Sequence, residues 1–191
     1  MFEGCAWLNP PPAWSATADG LRLTTAPGSD FWRETHYGFT RDSGHFLGRA
    51  VEGDFTATLR VQGRYAALYD QAGLMLRRGP AQWIKAGIEL SDGEALLGSV
   101  LTLGRSDWAT GPWRGDPGDL WLRATLADGV LRLQASADGI RWPLLRLCSF
   151  PGSGPCLVGP MACSPEGQGL QVGFSGFSVT PPLGRDLHDL G

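Results

Sequence analysis

Tyr69-Asp70-Gln71-Ala72-Gly73-Leu74-Met75-Leu76-Arg77, trailed closely by Trp83-Ile84-Lys85-Ala86-Gly87-Ile88-Glu89, alternates in character with a period of two. Successive side chains of an extended chain point to opposite faces, so Ala72, Leu74 and Leu76 share one face while Gln71, Gly73, Met75 and Arg77 share the other. The second segment repeats the division, with Ile84, Ala86 and Ile88 opposed by Trp83, Lys85, Gly87 and Glu89. A short turn at Gly79-Pro80 joins the two into a β-hairpin. Its non-core face carries Gln, Arg, Lys, Glu, Trp and Met, a mixture suited to holding a polar ligand against an aromatic plate.

Outward from this hairpin the rest of the chain is also all-β. Of the 191 residues, 28 are Gly and 14 Pro, and the longest stretch free of both is the ten residues Asp119 to Asp128, too short for a helix of ordinary length. Asp-Gly recurs at 19–20, 92–93, 128–129 and 138–139 between segments that can alternate, a strong hairpin signal because such turns need positive φ. Phe55, Ala57, Leu59 and Val61 form an inward row, as do Leu120, Leu122, Ala124 and Leu126, and then Leu131, Leu133 and Ala135. Leu21 to Thr24 is a strand, and a closing strand from Leu170 to Val179 is expected to pair with an early one. Residues 1–14 read as an extended lead-in, 181–191 as a loose tail, and Ser106-Asp107-Trp108 as the start of a loop that runs to Pro117. The expected architecture is one domain over 1–191, two antiparallel sheets packed as a sandwich or jelly roll.

Composition restricts function. Hydrophobic residues at 42% with eight Trp and eight Phe supply a sizeable core, and a net charge of −3 with no basic run predicts neither nucleic acid nor an anionic membrane as partner. No apolar run reaches membrane-spanning length. Cys5, Cys148, Cys156 and Cys163 include no C-x-x-C pair, and His36, His45 and His188 complete no zinc pattern, so no metal or cofactor is expected. The start lacks a basic region and an apolar core of useful length, which favours reduced thiols and a cytoplasmic location. Lys85 is the only lysine among 16 basic residues.

Several longer words occur together: Asp30-Phe31-Trp32-Arg33-Glu34-Thr35-His36-Tyr37-Gly38-Phe39, Arg41-Asp42-Ser43-Gly44-His45-Phe46, Tyr69 to Met75, Trp83-Ile84-Lys85, Ser106-Asp107-Trp108 and Val158 to Pro165. As a set they resemble the domain of unknown function 1349 family, in the concanavalin A-like lectin/glucanase superfamily, whose fungal relatives are called regulation-of-enolase proteins. The resemblance covers nearly the whole chain. It implies a concanavalin A-like jelly-roll sandwich with one concave sheet, and it implies no activity, because the superfamily mixes lectins, hydrolases and interaction domains.

Three functions from different classes fit these residues. Sugar binding needs an aromatic plate and polar groups for hydroxyls, which Gln71, Arg77, Trp83, Lys85, Glu89, Trp121 and Arg123 supply from outward positions, with His36 and His45 expected at the rim. A carbohydrate or polyhydroxylated metabolite is the expected partner; the structural alternative is an ordinary solvated sheet face. A non-catalytic module docking on a protein partner through the same face is the second reading. The third is a small-sugar hydrolase or isomerase with Glu89 as acid or base and His36 and His45 as further catalytic candidates; a glycosidase pair would draw on Glu89, Glu34 and Asp70, spaced ~5–5.5 Å or ~6.5–9.5 Å. The Glu-x-Asp-x-Glu word of laminarinase-like members is absent, since the positions alternating back from Glu89 are Gly87 and Lys85.

Overall fold

Period-two patterning is realised in sixteen strands and no helix in the computed structural model, which describes residues 1–191. In chain order the first eight are β1 (Cys5–Leu8), β2 (Ala13–Ala16), β3 (Leu21–Thr24), β4 (Phe31–Arg33), β5 (Thr40–Asp42), β6 (His45–Val51), β7 (Phe55–Gly63) and β8 (Gln71–Gly79). They continue as β9 (Gln82–Ser91), β10 (Glu94–Leu103), β11 (Arg105–Pro112), β12 (Leu120–Ala127), β13 (Val130–Ser136), β14 (Leu144–Ser149), β15 (Cys156–Cys163) and β16 (Gln171–Thr180). Two seven-stranded sheets result, β1-β6-β15-β8-β9-β10-β11 and β14-β13-β12-β7-β16-β3-β2, hereafter sheets A and B. A separate two-stranded ribbon pairs β4 with β5.

The central hairpin is β8–β9, antiparallel, with Arg77 opposite Trp83, Met75 opposite Lys85 and Gln71 opposite Glu89. Its apolar face, Ala72, Leu74, Leu76, Ile84, Ala86 and Ile88, packs against the inward rows of β7 and β12 in a main core of 29 buried residues. Burial of this apolar area is the driving force that joins the sheets. At Asp92-Gly93 and Asp128-Gly129 both residues have positive φ (54° and 82°, 50° and 71°), the conformation a two-residue hairpin turn demands. The closing strand β16 pairs with early strands, β3 and β7, as expected.

Four segments depart from the sequence reading. The lead-in is two edge strands, β1 on β6 and β2 on β3, because the prolines at 10–12 interrupt it only between them. Ser106, Asp107 and Trp108 are in β11, since Gly104, at φ 82°, reverses the chain before them and lets β10 pair with residues 105–112. Residues 181–191 are tied to the outer face of sheet B: Arg132 Nη1 donates to the carbonyls of Arg185 (3.0 Å) and Asp186 (3.2 Å), and the Trp142 amide donates to that of Leu190 (2.9 Å). Residues 30–42, which contain the β4–β5 ribbon, cover the outer face of sheet A, where Phe31 and Trp32 join Met75, Trp83, Val100 and Met161 in a second apolar cluster. The outer face of the β8–β9 hairpin, read as a ligand-binding face with an ordinary solvated face as the alternative, is therefore largely an interior.

Candidate functional site

Burying the polar face of β8–β9 obliges each polar group on it to find a partner. Arg77 finds Asp42 on β5, donating from both terminal nitrogens at 2.8 Å, with its guanidinium 5.9 Å from the Phe31 ring centroid. Trp83 lies under Phe31 with ring centroids 6.0 Å apart, and its indole N–H donates to the Pro80 carbonyl (3.3 Å). Lys85 Nζ donates to the Phe31 carbonyl at 2.7 Å and to Asp30 Oδ1 at 3.4 Å, while Asp30 Oδ1 also accepts the Phe31 amide (2.7 Å). These contacts fasten the ribbon to the sheet, and they consume Arg77 and Trp83 in doing so.

Beside the ribbon a pocket of about 190 Å³ remains. Gln71, Lys85, Glu89 and Asp30 form its polar lining, and Trp32, Tyr37, Tyr69 and Trp108 contribute aromatic walls. The volume is about six times the roughly 30 Å³ share of one water molecule. Gln71 donates through Nε2 to the Tyr69 carbonyl (3.2 Å), which leaves its Oε1 as an acceptor. Glu89 is only 8% exposed, and its buried Oε1 has no hydrogen-bond partner. Burial pushes the Glu89 carboxyl up to about 7; the Lys85 ammonium opposes the rise and the Asp30 carboxylate adds to it. The pocket therefore offers a carboxyl poised near neutrality, an amide, and an ammonium with one N–H to spare.

Other sequence candidates lie elsewhere. His45 is a buried structural residue: Nε2 accepts the Ala26 amide (2.9 Å), Nδ1 donates to the Asn9 carbonyl (2.7 Å), and burial lowers its pKa. It is not at the rim and does not meet His36, which is exposed at φ 62° with its ring edge-on to Tyr37. Trp121 and Arg123 are on β12 in sheet B, so they cannot join a site on sheet A. There the Trp121 ring lies under the Arg60 guanidinium at 5.6 Å. Arg123 donates to Gln134 Oε1 (3.0 Å) and stacks 4.4 Å above Trp142, and burial lowers its pKa to about 10 with Arg132 adding to the shift. Asp70 accepts the Ala66 and Ala67 amides (3.0 and 2.9 Å) and the Ser164 hydroxyl (2.6 Å), so it shapes the loop before β8. Glu34 accepts from Arg105 (3.0 Å) near the surface. Neither carboxylate is free to complete a catalytic pair with Glu89.

Of the predicted residues the structure unites Gln71, Lys85 and Glu89. It adds Asp30, Trp32, Tyr37, Tyr69 and Trp108, all of which occur in the unusual words of the sequence but none of which periodicity could place. No group of three or more His, Cys, Asp or Glu side chains is gathered as a metal would require. A larger, open depression of about 740 Å³ on sheet B is lined by Arg22, Gln62 and Arg64, whose side chains face solvent.

Several known proteins share this arrangement of strands. A curated relative named "Regulation of enolase protein 1", from Saccharomyces cerevisiae, is 57% identical over 184 residues, 96% of this chain and 93% of the yeast protein. The crystal structure of a functionally unknown protein from Saccharomyces cerevisiae superposes with a TM-score of 0.94 at 55% identity, covering 96% of this chain and 99% of that one. The structure described as "Bacteroides ovatus Xyloglucan PUL GH43B" matches at TM-score 0.69 and 21% identity over 89% of this chain and 35% of its own, a likeness of fold alone. The family profile described as "Protein of unknown function (DUF1349)" matches residues 7–182, and the chain belongs to that family.

Proposed function

We propose that the protein binds one small, polar, hydroxyl-bearing metabolite, no larger than a monosaccharide, in the pocket beside the β4–β5 ribbon. The observation that carries this reading is Glu89 Oε1, a buried acceptor with no partner in the protein, set beside the Gln71 amide and the Lys85 ammonium. An unpaired buried polar atom costs about 1–3 kcal/mol, a cost a ligand donor would remove. The pocket's small volume, about 190 Å³, favours a single small molecule over the oligosaccharide that an open sheet would take. Fold likeness to sandwich domains of glycoside hydrolases is compatible with a sugar but does not carry the claim. The name of the yeast relative favours a regulatory use for this binding, with a protein partner that reads whether the pocket is filled.

The test is isothermal calorimetry of the purified protein against monosaccharides, polyols and amino sugars. Saturable binding by at least one compound, lost in Glu89→Ala, is the expected result. Absence of binding by every compound, in protein with native near-ultraviolet circular dichroism, would remove the small-ligand reading and leave partner docking.

A further inference from the structure

We infer that the ligand of this pocket carries an ammonium group, placed against Glu89 inside a ring of four aromatic side chains. The inference rests on the small-ligand reading and names the chemistry of that ligand.

The four side chains form a closed circuit. Trp32 is 5.6 Å from Tyr37 and 6.4 Å from Trp108 by ring centroid, Tyr69 is 6.2 Å from Trp108, and the Tyr37 and Tyr69 hydroxyls meet at 3.3 Å. The polar atoms of three of them are already engaged: the Trp32 indole N–H donates to the Thr35 carbonyl (3.0 Å), and the two tyrosine hydroxyls bond each other. These walls present π-electrons and C–H edges, with one tyrosine O–H and the Trp108 indole N–H as their remaining donors. A neutral sugar held among them would meet few acceptors for its inner hydroxyl protons. An organic cation gains from the same surfaces, because the negative face of an aromatic ring attracts positive charge within roughly 6 Å of its centroid.

The distribution of charge points the same way. Lys85 and Asp30 form a pair at 3.4 Å, which leaves the ionised Glu89 as the uncompensated charge at the inner end. At the rim Arg41, stacked 4.9 Å over Phe39, and Glu166 carry opposite charges. The groups facing Glu89 are Lys85 and Gln71 from the sheet, Asp30 from the ribbon, Tyr69 from the loop before β8 and Trp108 from β11. Only Lys85 among these is a cation, and its charge is already shared. An ammonium ion supplies the missing positive charge, and a hydroxyl or N–H on the same molecule can donate to Glu89 Oε1.

The experiment compares two matched pairs by calorimetry at pH 8, where both cations keep their charge: choline against its neutral isostere 3,3-dimethyl-1-butanol, and ethanolamine against 1-propanol. The cation is expected to bind at least about tenfold more tightly in whichever pair binds, and Glu89→Gln should erase the preference. Trp108→Leu, at a half-exposed edge position that the core does not need, should weaken the cation several-fold. Choline affinity should fall about tenfold from pH 8 to pH 6, because its charge does not titrate while Glu89, with a pKa near 7, takes up a proton over that range. Equal affinity within the pairs overturns the inference and leaves small-ligand binding in place. No binding by any of the four, in natively folded protein, overturns the inference, and the small-ligand reading falls with it only when the monosaccharides and polyols also fail to bind.

Discussion

The outer faces of the two sheets are alike in that each carries charged residues and each is covered by a segment of the chain. On sheet B the cover is the C-terminal segment, whose carbonyls accept from Arg123 and Arg132, and Gln134 is bonded on both sides, to Arg123 and to the Trp142 carbonyl (2.7 Å). Every buried polar side-chain group there has a partner within the protein. On sheet A the cover is the β4–β5 ribbon, which satisfies Arg77 and Lys85 but stops short of Glu89. Burial of charge is therefore common to both faces, and one unmatched acceptor distinguishes the site. The unmatched acceptor facing a pocket, rather than buried charge as such, is what sets this face apart.

Four measurements probe this contrast between the faces. Lys85→Met should be the most damaging, because it leaves Asp30 and the Phe31 carbonyl buried without their donor; a loss of about 3–5 kcal/mol in urea unfolding is expected, with release of the ribbon. A loss under about 1 kcal/mol would show that the ribbon is held by its aromatic contacts alone. The Glu89 carboxyl should contribute a pH dependence of stability that sheet B lacks. Its folded pKa of about 7 is raised, so between about pH 4.5 and 7 the native state holds more protons than the unfolded chain. The stability of wild type relative to Glu89→Gln should fall by about 3 kcal/mol as pH rises through that window and then level off, with Glu89→Gln the more stable at pH 8; the comparison cancels the opposite slope of His45, whose lowered pKa adds stability as pH rises. A difference between wild type and Glu89→Gln that stays constant over this range would place the carboxyl in contact with water.

On the other face, Arg132→Met should cost about 1–2 kcal/mol and free residues 183–186 to amide exchange, because the released carbonyls can turn to water. Ligand affinity should not change, since sheet B plays no part in the pocket. The smallest effect belongs to Arg146→Ala, which removes an ion pair to the exposed Asp107 (3.1 Å) joining the edges of the two sheets; no more than about 1 kcal/mol is expected in thermal unfolding.

Much of this molecule is legible in its sequence. Alternation placed Ala72, Leu74, Leu76, Ile84, Ala86 and Ile88 in the core and Gln71, Lys85 and Glu89 together on the opposite face, because a strand has no third direction in which to aim a side chain. Asp-Gly turns at 92–93 and 128–129 fixed two hairpins, since positive φ at both positions is costly for most other pairs. The singular Lys85 was visible as an oddity, and its place explains it: a compact ammonium whose donors reach Asp30 and the Phe31 carbonyl at once.

Periodicity was silent on which sheet a strand joins and on the cover above its outer face. It grouped Trp121 and Arg123 with the β8–β9 hairpin, although β12 pairs with β7 and β13 in the opposing sheet. It read Arg77 and Trp83 as ligand-binding, although long-range contacts with Asp42 and Phe31 use them to hold the ribbon. Strand order depends on pairings between residues far apart in the chain, and cover depends on where a loop can satisfy its own backbone while burying aromatic area. The order of residues is enough to dictate an all-β sandwich and the polar face of its central hairpin. That this face is roofed by residues 30–42, and that Glu89 is the acceptor the roof leaves unpaired, emerges only on folding, because burial and hydrogen-bond satisfaction are properties of the packed chain.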